Sequence, residues 1–241
     1  MADPYFSLPR VSSPRHDPDH DDWSFTGLSP SPYVPEHKNQ LIDQQDWQRF
    51  NDAFAALDGT DRLQQYVASR LYAEEGGRRW NGSRSAYAGI QQAALAEAQK
   101  RDPALGGLTL GEGLTDEQIA RIYATTMAAG ARRYGGFEAL ARLNHDGTVA
   151  AIVDTQFRHG QNDGAKAIRD AVSEAKKALP EDVRASLKLP DLGDSTGPEE
   201  TLRQLRQLGE AGYGALFRGA LAELRKERGG EKEKPRYDRY R

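Results

Sequence analysis

Glu74 and Glu75 close a helix-like stretch and are followed at once by Gly76-Gly77, a polar run centred on Asn81-Gly82, and a second helix-like stretch from Ile90. Two carboxylates at this end are unfavourable, because the dipole leaves partial negative charge at a helix C-terminus. Leu63, Val67 and Leu71 recur every four residues, and Glu75 continues the series. Glu74 lies about 100° away around the helix. The phase therefore predicts that Glu75, and not Glu74, faces the core. There, desolvation and the dipole both oppose ionisation. A carboxylic acid that keeps its proton near neutral pH is what a glycosidase uses to protonate a leaving oxygen. Gly76-Gly77 lets the chain turn away beside it. The polar run then carries Trp80, Asn81, Ser85 and Tyr87 toward the same place, with Gln91 following. Aromatic faces and amides suit sugar rings. The same spacing also describes two solvated glutamates at a frayed helix end.

Other chemistries find less to stand on. The chain has no cysteine, hence no disulfide and no thiolate nucleophile or ligand. It carries no Walker loop, no HExxH and no GxSxG motif. "GGLTLGEG" is glycine-rich but follows no strand pattern, so it does not match a phosphate cradle. In "HDPDHDD", Pro18 prevents the helix that would align His16 and His20 on a metal, and the segment reads as a solvated acidic arm. No metal or cofactor is expected. A net charge of -3 weighs against nucleic acid as partner. No run approaches a membrane span, and the start lacks a cleavable signal pattern, which predicts synthesis in the cytoplasm and, for any action outside it, delivery by another route.

The elements that must hold these residues are mostly helical. Residues 1–40 are rich in Pro, Ser, Asp and His without periodicity and are expected to form an extended arm. Trp47, Phe50, Phe54 and Leu57 form one apolar stripe from Gln44. A helix over Asp61–Glu75 follows, then a hairpin signalled by Asn81-Gly82. Ile90–Arg101 is the next helix, stopped by Pro103. Thr115 and Gln118 have capping-box spacing before the stripe Ile119, Ile122, Tyr123 and Met127. Helices are predicted over Phe137–Leu143, over the apolar Thr148–Phe157, and from an Asp163 cap to Leu179. Two amphipathic helices near Glu199–Leu208 and Glu210–Arg228 precede a charged tail over 229–241. The fold class is mainly α with one small β-hairpin.

Placed in order, these segments resemble a known family. "EEGGRRWNGSRSAYAGIQQAAL" is similar to the active-site segment of the family-108 glycosyl hydrolases, the phage-endolysin and secretion-activator type of lysozyme-like muramidase, with Glu75, Gly76, Gly77, Gly89 and Ile90 matching. "LTDEQIARIYATTM" resembles its next helix. "AAIVDTQFRHGQNDGAKAIRDAV" resembles its buried helix through Asp154, Phe157, Gly160 and Ala165. "GPEETLRQL" and "LFRGALAELR" resemble the small peptidoglycan-binding region that commonly follows. The likeness spans roughly residues 60–228. Arg78 stands where the family carries an aromatic, and Arg158 where it carries an asparagine.

The resemblance implies a lysozyme-like α+β fold over 41–179, a helical peptidoglycan-binding-like region over 180–228, and cleavage of the β-1,4 glycan of bacterial wall with Glu75 as general acid. Candidate substrate contacts are Trp80, Asn81, Ser85, Tyr87, Gln91, Tyr123, Arg158 and His159. Asp154, Arg158 and His159 fit better as a structural set: a buried, satisfied carboxylate and a helix-end cation. No second carboxylate in the segment suits a nucleophile. Water held by Ser85 or Tyr87 would then attack, which favours inversion over retention. The rival expectation is a non-catalytic virion or secretion-machine component that keeps the fold to dock on wall. A third is an all-helical interaction protein unrelated to wall.

Overall fold

The computed structural model describes residues 42–81 and 83–229. The expected arm with His16 and His20 lies outside the described residues, as does the tail beyond Gly229. The described chain is mainly helical, with one two-stranded antiparallel sheet. None of its helices is long and apolar enough to cross a membrane.

Local sequence explains most helix starts. Helix α1 (Gln44–Ala55) begins where the Asp43 side chain accepts from the backbone N–H groups of Gln45 and Asp46. Its buried face is Trp47, Phe50 and Phe54, as the stripe predicts. Helix α2 (Arg62–Glu75) starts with a capping box between Asp61 and Gln64 and ends on Gly76 in the left-handed conformation. Strands β1 (Ala86–Tyr87) and β2 (Ile90–Gln91) pair Ala86 with Gln91 and Tyr87 with Ile90. Helix α3 (Gln92–Arg101) follows directly, and Pro103 opens a short 3-10 turn. Helix α4 (Asp116–Arg132) has both bonds of the Thr115–Gln118 box and buries Ile119, Ile122, Tyr123 and Met127. Helix α5 (Gly136–Ala141) is short.

Helix α6 (Asp146–Lys177) joins the two expected segments in one 32-residue run broken at Gly160, whose φ of 72° and ψ of 177° are not helical. The second segment was expected to start at an Asp163 cap. The break lies at Gly160 instead, since glycine alone takes that conformation without strain. A Cβ on Gly164 would lie 3.1 Å from the Thr155 carbonyl oxygen and 3.1 Å from the Gln156 amide carbon, so the limb after the elbow folds back close to the one before it. Helices α7 (Glu181–Leu187), α8 (Pro198–Glu210) and α9 (Gly214–Gly229) complete the chain. On α9, Phe217, Leu221 and Ala222 are buried, and Leu216, Ala220 and Leu224, with Tyr213 just before the helix, pack half-exposed against the same core.

Burial is centred on α4 and the first limb of α6. Ile119, Ile122 and Tyr123 join Val149 to Val153 in one apolar cluster that also takes in Phe50, Val67, Leu71, Leu205 and Phe217. The rings of Phe50 and Tyr72 stack at 3.9 Å between centroids, and Tyr123 meets Phe50 edge-on at 5.2 Å. This aromatic knot ties α1, α2 and α4 together beneath the end of α2. On the far side, α9 packs along α6, and the Arg218 guanidinium donates to the Thr148 hydroxyl at 3.3 Å.

Candidate active site

The last turn of α2 delivers both glutamates, and their order of burial corrects the phase expectation. Glu74 is buried, whereas Glu75 is half-buried. Every residue from Tyr66 to Tyr72 is buried, so this part of α2 has no solvent face against which one stripe could be read. A phase argument presumes a one-sided helix, and α2 is not one near its C-terminus.

Glu75 nevertheless occupies the more chemically distinctive position. Its Oε1 lies 2.8 Å from Nη2 of Arg158, with 16% of its side chain and 12% of the arginine's exposed. Arg158 uses Nε to donate to Oδ1 of Asp154 at 2.5 Å, and the Asp154 side chain is only 1% exposed. Asp154 and Arg158 are one helical turn apart on the limb of α6 that precedes Gly160. One guanidinium thus joins two carboxylates from two helices. Both helices end beside it, and a cation there complements their negative termini. The desolvated acid expected from sequence is therefore corrected to an ion-paired one.

The hairpin forms the other wall. Trp80 bridges Tyr87 antiparallel across the loop that follows Asn81, with the Asn81 N–H donating to the Ala86 carbonyl at 2.9 Å. A second, tight turn at Ala88-Gly89, with φ of 50° and 73°, joins β1 to β2. Ala88 is wholly buried in this unusual conformation. It is held by its N–H, which donates to the Arg79 carbonyl at 2.9 Å, and by its carbonyl, which accepts from the Tyr123 hydroxyl at 2.8 Å. A Cβ on Gly89 would fall 2.2 Å from Cγ of Glu75 and 2.8 Å from the Tyr123 hydroxyl. Only glycine lets the turn close on the glutamate. Asn81 has a different task. Its Oδ1 accepts from the N–H groups of Ser85 at 2.8 Å and Ala86 at 3.1 Å, which pins the loop leading into β1, and Trp80 bridges to Tyr87.

Gly76-Gly77 is explained by a feature the sequence did not signal. Asp46 of α1 is buried and accepts from the Tyr72 hydroxyl at 3.0 Å and the Arg78 N–H at 2.8 Å. A Cβ on Gly77, whose φ is 75°, would lie 2.3 Å from Oδ2 of Asp46. The Arg78 side chain pairs with Asp116 and the Leu114 carbonyl at the start of α4. Burial, then the neighbouring Asp46 charge, pushes the Tyr72 hydroxyl far above the usual tyrosine range.

The remaining candidates divide. Tyr123 is buried and acts through the turn, and its ring stacks on Phe157 at 5.4 Å. Tyr87 is buried against Trp80, with ring centroids 5.4 Å apart, and its hydroxyl lies beside Arg78. Ser85 is exposed beside Asn81 and Ser83, and Gln91 is exposed at the end of β2. Trp80 is half-buried, 3.6 Å from the position of a Cβ on Gly111 in the glycine-rich loop. His159 is half-buried at the elbow, the helix-end placement of the structural reading. No group of His, Asp or Glu among the described residues is arranged to hold a metal. Comparison with known protein families, with curated proteins and with solved structures finds no match to this chain.

Proposed function

We propose that the chain is a lysozyme-like hydrolase of the β-1,4 glycan of bacterial peptidoglycan, with Glu75 as general acid. The observation that supports this reading is a partly exposed carboxyl where α2, the Ala88-Gly89 turn and the elbow of α6 meet. Glu75, protonated from solvent, would pass that proton to the glycosidic oxygen as the bond to the anomeric carbon breaks, and the water that adds to that carbon would release a proton to solvent. The carboxylate left behind would form opposite Arg158, so the new negative charge meets a cation already in place. Asp154 is too deeply buried to reach a sugar, which keeps water as the attacking group and inversion as the outcome. Asn81, Ser85 and Gln91 are among the exposed polar side chains of the hairpin that a saccharide would meet, with Trp80 at its edge. Acid catalysis of this kind requires no metal or cofactor. The helical region over 180–228 is assigned to wall binding, and action at the wall, from a virion or a secretion machine, follows from the substrate.

One observation favours the rival reading of a non-catalytic wall-docking component. In the resting arrangement Glu75 is closed onto Arg158 at 2.8 Å, as a purely structural ion pair would be. Release of reducing ends from purified peptidoglycan separates the two. Release is expected. None from any wall type, with sedimentation on the wall retained, would overturn the hydrolase in favour of docking. Failure to sediment as well would leave an interaction protein unrelated to wall.

A further inference from the structure

We infer that Arg158 is a positioning residue: held by buried Asp154, it fixes where the Glu75 carboxyl points. The inference rests on Glu75 being the acid. Its ground is the division of labour within one guanidinium. Nε is committed to Asp154 at 2.5 Å, and Nη2 reaches Glu75 at 2.8 Å. A planar fork hydrogen-bonded through Nε is fixed in orientation, so Asp154 decides where Nη2 lies, and the close ion pair holds Oε1 against it. Asp154 is itself immobilised, being 1% exposed on a limb that packs into the core through Val149 to Val153.

The other side of Glu75 is closed by shape. Gly89 comes so near Cβ and Cγ of Glu75 that a methyl group would not fit, and the Tyr123 hydroxyl, anchored on Ala88, keeps that turn in place. Phe157, adjacent to Arg158, stacks on the Tyr123 ring and joins the two walls. The stem of Glu75 is therefore confined by the turn and its head by the arginine. A glutamate at a helix end would otherwise sample several rotamers, and holding one of them is what an acid acting on a single oxygen needs.

Lysine separates positioning from charge. An ammonium is one point of charge and cannot hold both carboxylates along the edges that the fork uses. The experiment compares the parent with Arg158→Lys and Arg158→Gln in two measurements. The first is modification of carboxyls by a water-soluble carbodiimide and glycine ethyl ester, quantified at Glu75 by peptide mass spectrometry. Exposed Glu112 serves as the reference for full reactivity, and buried Glu74 reports loss of fold. Glu75 should react several-fold faster in both variants, with Glu74 unchanged. The second is the kinetics of glycan cleavage. Both variants should lose roughly 10- to 100-fold in kcat, with KM within about two-fold, as a misplaced acid would. Arg158→Lys matching the parent in both measurements would overturn the inference, because charge alone would then suffice. So would unchanged Glu75 reactivity in Arg158→Gln. A parent that cleaves nothing sinks the hydrolase reading by itself, and the modification rates still decide whether the arginine holds the glutamate.

Discussion

Asp46 and Glu75 each press on a glycine with positive φ, Gly77 and Gly89, and each meets an arginine segment from elsewhere in the chain. What surrounds them differs. Asp46 is enclosed and accepts at short range from a tyrosine hydroxyl and a backbone N–H, groups that come from the end of α2 and the loop after it, with Arg49 of its own helix more distant at 3.5 Å. Glu75 keeps 16% of its side chain exposed and pairs with a cation, Arg158. The first corner fastens the loop that follows α2 onto α1. The second leaves an oxygen within reach of something outside. A buried carboxylate with short neutral donors is a fastener, and a half-exposed one facing a cation can also serve as a reagent.

The largest expected difference between the corners is in chemistry. Glu75→Gln should lower reducing-end release by at least about 10²-fold, because the transferable proton is lost. Its melting temperature should stay within roughly 4 °C of the parent, about 1 kcal/mol for a chain of this size. Glu74→Gln should keep activity, and an inactive Glu74→Gln beside an active Glu75→Gln would assign the acid to the wrong neighbour. Asp46→Ala should do the reverse. It strands the Tyr72 hydroxyl and the Arg78 N–H in a buried place and should cost about 3 kcal/mol in a denaturant melt. Its activity per folded molecule should change far less than that of Glu75→Gln.

The two glycines sharpen the contrast. Ala at either position adopts a left-handed conformation and drives a methyl into a carboxylate side chain, at a cost of about 2–3 kcal/mol each. Gly89→Ala should also depress cleavage, since the clash falls on Cγ of Glu75, and Gly77→Ala should not. Equal activity in the two folded variants would break the comparison. Alkaline pH loads the fastener. Tyr72 is raised in the folded state, so its contribution is fully present below the unfolded tyrosine value and is lost as pH climbs above about 10. Tyr72 should account for at most about 1.4 kcal/mol of the fall per pH unit, beside that of Tyr134, which burial pushes up to about 12, and Tyr72→Phe should reduce the slope by that share.

Helix starts were legible because their causes are local. Asp61 with Gln64 and Thr115 with Gln118 close their boxes within four residues. The aromatic stripe of α1 was equally plain, because that helix is buried on one side. The hairpin around Asn81 was legible, since Trp80 pairs with Tyr87 across it, but the second turn at Ala88-Gly89 was not. Ala88 takes its φ of 50° where Tyr123, 35 residues on, holds its carbonyl. Neither residue's neighbours in sequence announce that bond. The cluster at Glu75 was legible in part: the spacing of Asp154 and Arg158 fits one helical turn, but the reach of Arg158 to α2 is tertiary. The choice between Glu74 and Glu75 was right about which one meets the hairpin and wrong about which is more buried. Asp46 was invisible, being a polar residue in the first turn of a helix, where acids are common for other reasons.

Thr148 and Arg218 stand 70 residues apart and meet across α6 and α9, with Phe217 and Leu221 sealed in the same cluster as Val149. Between them runs an irregular stretch in which Gly193, Asp194 and Ser195 are exposed. That arrangement separates covalent continuity from physical cohesion. A protease should find the backbone at Gly193–Ser195 readily, yet the fragment carrying α8 and α9 should not leave, because apolar surface and not the peptide bond retains it. The nicked protein should elute from gel filtration as one particle and fall into two pieces only in denaturant. Mixing the separated pieces should rebuild the particle. A fragment that drifts off under native conditions would show that the last helices are appended to the core and not part of it.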